Sequence, residues 1–121
     1  MALKVTGYSS GAMKYKIVCQ SAVTQTADVD VLGTGGIAKT LELWNQHSAT
    51  IYFKIKLTSG EYTAGTTEPD VMLRMPAATN KQFDFPDGLS FDQLTFWCND
   101  GATTADTDAP GGTVSATFIC S

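Results

Sequence analysis

The sequence predicts an all-β fold, a single β-sandwich of about eight short antiparallel strands. Three observations predict it. Apolar and polar residues alternate with a period of two in segment after segment, as a half-buried strand requires. Gly-, Pro- and Asn-rich turn signals recur every 8–14 residues, and no stretch carries a helical period. Such a series of strands suits either an immunoglobulin-like or a jelly-roll sandwich, which pattern alone does not separate.

The 121 residues suffice for one domain with a core of its own. Charged residues are only 17% of the chain and apolar ones 43%, with Thr, Ser, Asn, Gln and Gly making up the difference. Thr-rich composition favours pleated, half-buried strands over helices. Two parts are expected: an N-terminal arm over residues 1–12, marked by Gly7, Ser9, Ser10 and Gly11, and a sandwich over 13–121.

In chain order, Met13, Tyr15, Ile17 and Cys19 share one parity, with Lys14 and Lys16 on the other. Val29 and Val31 alternate with Asp28 and Asp30 until Gly33-Thr34-Gly35-Gly36 ends that segment. Leu41 and Leu43 alternate with Thr40 and Glu42. The clearest strand spans residues 50–58, with Ile51, Phe53, Ile55 and Leu57 inward and Tyr52, Lys54 and Lys56 outward. Between these two, Asn45-Gln46-His47-Ser48 reads as a hairpin turn. After a polar loop over 59–70 come Val71, Leu73 and Met75, ended by Pro76. Phe83 and Phe85 flank Asp84, and Pro86-Asp87-Gly88 reads as a turn. Leu94, Phe96 and Cys98 form the next inward face. A second long loop covers 99–112, and Val114, Ala116, Phe118 and Cys120 form the final strand.

Several function classes are disfavoured. The net charge is −4 with a single arginine, Arg74, so no basic stripe exists to engage phosphates, and nucleic acid is not an expected partner. No apolar run approaches the length needed to cross a bilayer as a helix, and residues 1–5 lack the apolar stretch of a secretory signal, so no membrane is expected. Three widely spaced cysteines, Cys19, Cys98 and Cys120, share the parity of core residues. They read as buried free thiols, with one disulfide plus a spare thiol as the alternative, and not as a zinc site, which shows paired ligands. The one imidazole, His47, lies in a turn, so neither a triad nor a Cys–His nucleophile is expected. Asp106-Thr107-Asp108 has the start of a calcium loop. Counting from Asp106, Gly111 falls sixth, but Pro110 is fifth and Thr117 twelfth, so the ligand set is incomplete. Gly33–Gly36 lacks the following Lys-Ser/Thr of a phosphate loop. No catalytic, cofactor-binding or metal-ligating residues are therefore assigned, and the chain is not expected to be an enzyme.

Aromatic side chains are what remains. Strand parity places Trp44, Tyr52 and Trp97 opposite the core, and Tyr8 and Tyr62 fall in polar segments. These five are the candidate interface residues, because a large amphipathic ring contributes contact area at low entropic cost.

The order of features from Trp44-Asn45 through Tyr52-Phe53-Lys54-Ile55, Gly65-Thr66-Thr67-Glu68-Pro69 and Met75-Pro76-Ala77 resembles a block of small tailed-bacteriophage virion structural proteins. Phe85-Pro86-Asp87-Gly88-Leu89-Ser90-Phe91 and the loop NDGATTADTDAP continue the resemblance, which covers roughly residues 25–121. The chain departs from that pattern in its three cysteines and in Trp97. The resemblance implies a capsid decoration or cement protein, non-enzymatic, without cofactors. It would be made in the host cytoplasm and carried in the virion as a homo-oligomer bound to the major capsid protein or other virion proteins. A head–tail, tail-accessory or fibre-like role, or a carbohydrate-binding sandwich stacking sugars on Trp44, Tyr62 and Trp97, are the alternatives.

Overall fold

The structure, a computed structural model, describes residues 3–8 and 15–121. Expectations for Met13 and for residues 9–12 of the arm lie outside the described residues. Among those described there is no helix, and the chain forms eight strands. These are β1 (Leu3–Tyr8), β2 (Tyr15–Gln20), β3 (Gly36–Asn45), β4 (Ile51–Lys56), β5 (Val71–Met75), β6 (Thr79–Phe91), β7 (Thr95–Asn99) and β8 (Val114–Cys120). One antiparallel sheet has the order β1-β2-β8-β3-β6 and the other β5-β4-β7. Leu3–Tyr8, within the segment expected to be an arm, pairs along its whole length with β2.

Residues of one parity on each sheet meet in a single core. Val18, Leu41, Leu43, Phe118 and Cys120 face Ile51, Phe53, Ile55, Phe96 and Cys98, all fully buried. At its centre Phe118 of β8 packs on Phe53 and Phe96, with ring centroids 6.2 and 5.3 Å away. Both distances suit offset or tilted ring pairs.

The path of the chain decides between the two sandwich topologies. Residues 23–31 cross from one sheet to the edge of the other. Val23 N–H bonds Val114 of β8, then Thr24 accepts from Cys98 N–H, Asp28 exchanges backbone bonds with Phe96, and Val31 N–H bonds Leu94 just before β7. Counting this segment as an irregular strand beside β7, the chain passes from sheet to sheet at every step except β1 to β2 and β4 to β5. That wrapping is a jelly roll. The segment was expected as a regular strand. It is instead one isolated bridge, Asp28 to Phe96, because Asp30 adopts φ 48° and bends the chain into a turn closed by Gly33.

Three further expectations are corrected. The supposed hairpin at residues 45–48 joins strands of different sheets, so β3 and β4 do not pair. Asn45, fully buried, holds this corner: its Nδ2 donates to the carbonyls of Ala49, Met75 and Pro76, and its Oδ1 accepts from His47 N–H. The supposed turn at Pro86-Asp87-Gly88 lies inside β6 as a bulge. Register passes from Ala38–Leu89 to Thr40–Asp84, with Gly88 at φ 76°. Pro86 is tolerated there because β6 is an edge strand. Finally, β2 has the opposite parity to that expected. Val18 and Gln20 point into the core, while Tyr15, Ile17 and Cys19 share the other, half-buried face. Gln20 tolerates the interior because its Nε2 donates to Asp28 and its Oε1 accepts from Ala22 N–H.

Candidate functional site

The outer faces of the two sheets differ sharply. On the three-stranded sheet, Tyr52, Lys54 and Lys56 of β4 face outward as expected, beside Thr95, Trp97 and Asn99 of β7. The structure corrects the exposure expected there. Every residue of β7 is buried, and Lys54 and Trp97 are only 1% and 3% exposed. The two long loops form a roof. Tyr62, in the loop over 59–70, packs on Trp97 with ring centroids 4.7 Å apart. Gly65 in that loop lies so close to the other that a Cβ there would sit 3.1 Å from the Thr107 methyl carbon.

A polar network lies under this roof. Lys54 Nζ donates to Asn99 Oδ1 and to the carbonyl of Thr103, each at 2.9 Å. Asn99 Nδ2 donates in turn to the carbonyl of Asp108 at 3.0 Å. The loop carrying these groups is folded by Asp106, whose N–H bonds the Thr103 carbonyl and whose carboxylate accepts from Asp108 N–H. A Cβ at Gly101 would overlap that carboxylate, so glycine is needed for it to lie where it does. Burial pushes the Lys54 ammonium below its ordinary pKa, and the negative charge of Asp106 opposes that shift. Burial pushes the Tyr62 phenol up.

Asp100, Asp106 and Asp108, read from the sequence as a solvated loop, bring one carboxylate oxygen each within 4.8 Å of one another. Lys54 places a cation beside this acidic group, as its interaction with Asp106 shows.

Among the described residues, no loop forms such a roof over the outer face of the five-stranded sheet. Trp44 stands there, 46% exposed, between Ser115 of β8 and Asn80 of β6. Ile119, also exposed, lies between Ile17 and Thr40 on the same face. Of the five candidate interface residues, Trp44 is therefore open. Tyr52 and Tyr62 are half-buried, and Trp97 is covered. Tyr8 ends β1 opposite Tyr15, and its side chain lies outside the described residues. Trp44 and the Tyr62–Trp97 pair lie on different sheets, so the three rings do not form one sugar-stacking platform.

The three cysteines are free thiols, as expected. Cys98 and Cys120 are core residues, with burial pushing their thiols up to about 12 and about 11. Cys19 is not in the core but half-buried on the outer face of its sheet, where Thr117 Oγ1 donates to its sulfur at 3.7 Å. His47 is half-buried, packed against Gly111 and Gly112.

Sequence reasoning missed the Lys54–Asn99 network. Its one available signal was a pair of aromatic residues, Tyr52 and Trp97, on a supposedly wet face whose strands end in two long Gly-containing loops. Comparison of the chain with protein-family models, curated proteins and solved structures finds no match.

Proposed function

We propose that this chain is a non-enzymatic bacteriophage virion structural protein, a decoration or cement protein that binds the assembled head. The observation that carries the reading is the open face of the five-stranded sheet, with Trp44 exposed among short polar side chains. A rigid, exposed aromatic on a sheet face is the kind of residue that anchors a protein–protein contact. The ordered motifs from Trp44 to Pro110 support the phage assignment. The jelly-roll wrapping, common among capsid proteins, supports it by analogy of fold. The partner on this reading is the major capsid protein, engaged by several copies of the chain around a local symmetry axis. Binding only the assembled shell stabilises that state by mass action.

Co-sedimentation with expanded, DNA-free shells of the parent phage tests this. The chain is expected to pellet with shells, and Trp44→Ala to weaken binding by about 30-fold, the effect of losing a ~2 kcal/mol anchor. The variant's unfolding midpoint should not change. Absence from the shell pellet overturns the decoration reading, and binding to isolated tails instead would assign the chain to the tail.

A further inference from the structure

We propose that Lys54 and Asn99 become joined by an intramolecular isopeptide bond, Nζ to Cγ, which the folded chain forms once on itself with release of ammonia. The inference rests on the roofed network and holds whatever the chain docks to.

Lys54 lies opposite Trp97 in the β4–β7 pairing, and Asn99 two residues further along β7, so both side chains rise from the same face of adjacent strands. Diagonal neighbours of this kind lie within reach of long side chains. Here the contact is made, with Nζ 2.9 Å from Asn99 Oδ1 and both residues 1% exposed. The amide is also held in one orientation. An ammonium only donates and a backbone carbonyl only accepts, so Oδ1 faces Lys54 and Nδ2 faces the Asp108 carbonyl. The amine therefore sits against the carboxamide it would attack, and the prospective leaving nitrogen points at an acceptor. The ring of Trp97, capped by Tyr62, keeps bulk water away. Desolvation also favours the neutral amine, the form of Lys54 that carries a free electron pair.

The step balances without a co-reactant. The neutral amine of Lys54 attacks Asn99 Cγ with its free electron pair. A tetrahedral carbon forms, an Nζ proton passes to Nδ2, the Cγ–Nδ2 bond breaks, and ammonia departs, leaving a secondary amide. Nothing is oxidised or reduced. Proximity supplies most of the acceleration, because two groups held in contact behave as though at very high effective concentration.

The decisive measurement is the mass of the intact, denatured chain, followed by tryptic mapping. The mass is expected to fall below the sequence value by one ammonia molecule. Cleavage at Lys54 should be lost, and a branched peptide should link the segments bearing Lys54 and Asn99. The full sequence mass overturns the proposal. Loss of ammonia with a linear peptide still cleaved at Lys54 also overturns it, since that result marks a succinimide at Asn99-Asp100.

Discussion

Replacing Asn45 by Ala tests how the chain turns from one sheet to the other. Its two Nδ2 protons are shared among the carbonyls of residues 49, 75 and 76, and its Oδ1 accepts from His47 N–H, all at 2.9–3.2 Å. A protein hydrogen bond contributes about 1 kcal/mol net, and a buried partner left unsatisfied costs about 1–3 kcal/mol. Some of the freed groups will find water, since only the bond to Met75 is wholly buried. Asn45→Ala should therefore cost roughly 3–5 kcal/mol. A 121-residue domain has a total stability of roughly 6–18 kcal/mol. Equilibrium urea unfolding reads the loss directly. With a slope of about 2 kcal/mol/M, the midpoint should fall by about 2 M at unchanged slope. Gln46→Ala is the control, because that side chain is exposed and its backbone bond to Thr113 survives the change. A midpoint shift below about 0.5 M for Asn45→Ala would refute the assignment of this amide as the clamp of the corner.

Other outcomes follow from the same geometry. Phe118→Ala removes the ring shared by Phe53 and Phe96, and should destabilise by roughly 3–5 kcal/mol in the same urea assay. Gly88→Ala forces a Cβ into Ile37 at φ 76°, and should cost roughly 1–3 kcal/mol, whereas Gly33→Ala meets only the φ penalty because no atom lies near. Alkylation of the folded chain followed by mass mapping should label Cys19 first. Cys98 and Cys120, fully buried and with burial raising their thiols, should react only once the chain is unfolded in denaturant. Labelling of either at a rate matching Cys19 in the folded chain would refute this.

Legibility in the sequence followed the number of constraints acting on each segment. β4, β5, β7 and β8 were readable because their apolar residues alternate without ambiguity. β2 was not, since Ile17, Val18 and Cys19 are consecutive apolar residues and either parity suits the pattern. Pairing decided it, with Val18 set opposite Phe118 in the core. Asn45 and Pro86-Asp87-Gly88 carry ordinary turn chemistry, but tertiary context used the first as an interior clamp and the second as a bulge. Exposure was harder still. Parity correctly placed Lys54 and Trp97 away from the core, yet no local signal says that loops 40 residues apart in the chain fold back over them. Trp44, over which no described loop folds, is exposed as its strand parity predicts.

The position of β8 has a consequence for how the molecule comes into being. It is last of the eight strands in chain order, yet lies between β2 and β3 in the five-stranded sheet. During synthesis, the β1–β2 pair and the β3–β6 pair can each form, but nothing joins them until residues 114–120 have emerged. Until then β2 and β3 each present an unpaired edge. The core likewise lacks Phe118, its central ring. Folding is thus expected as one late event that inserts a strand between two waiting ribbons.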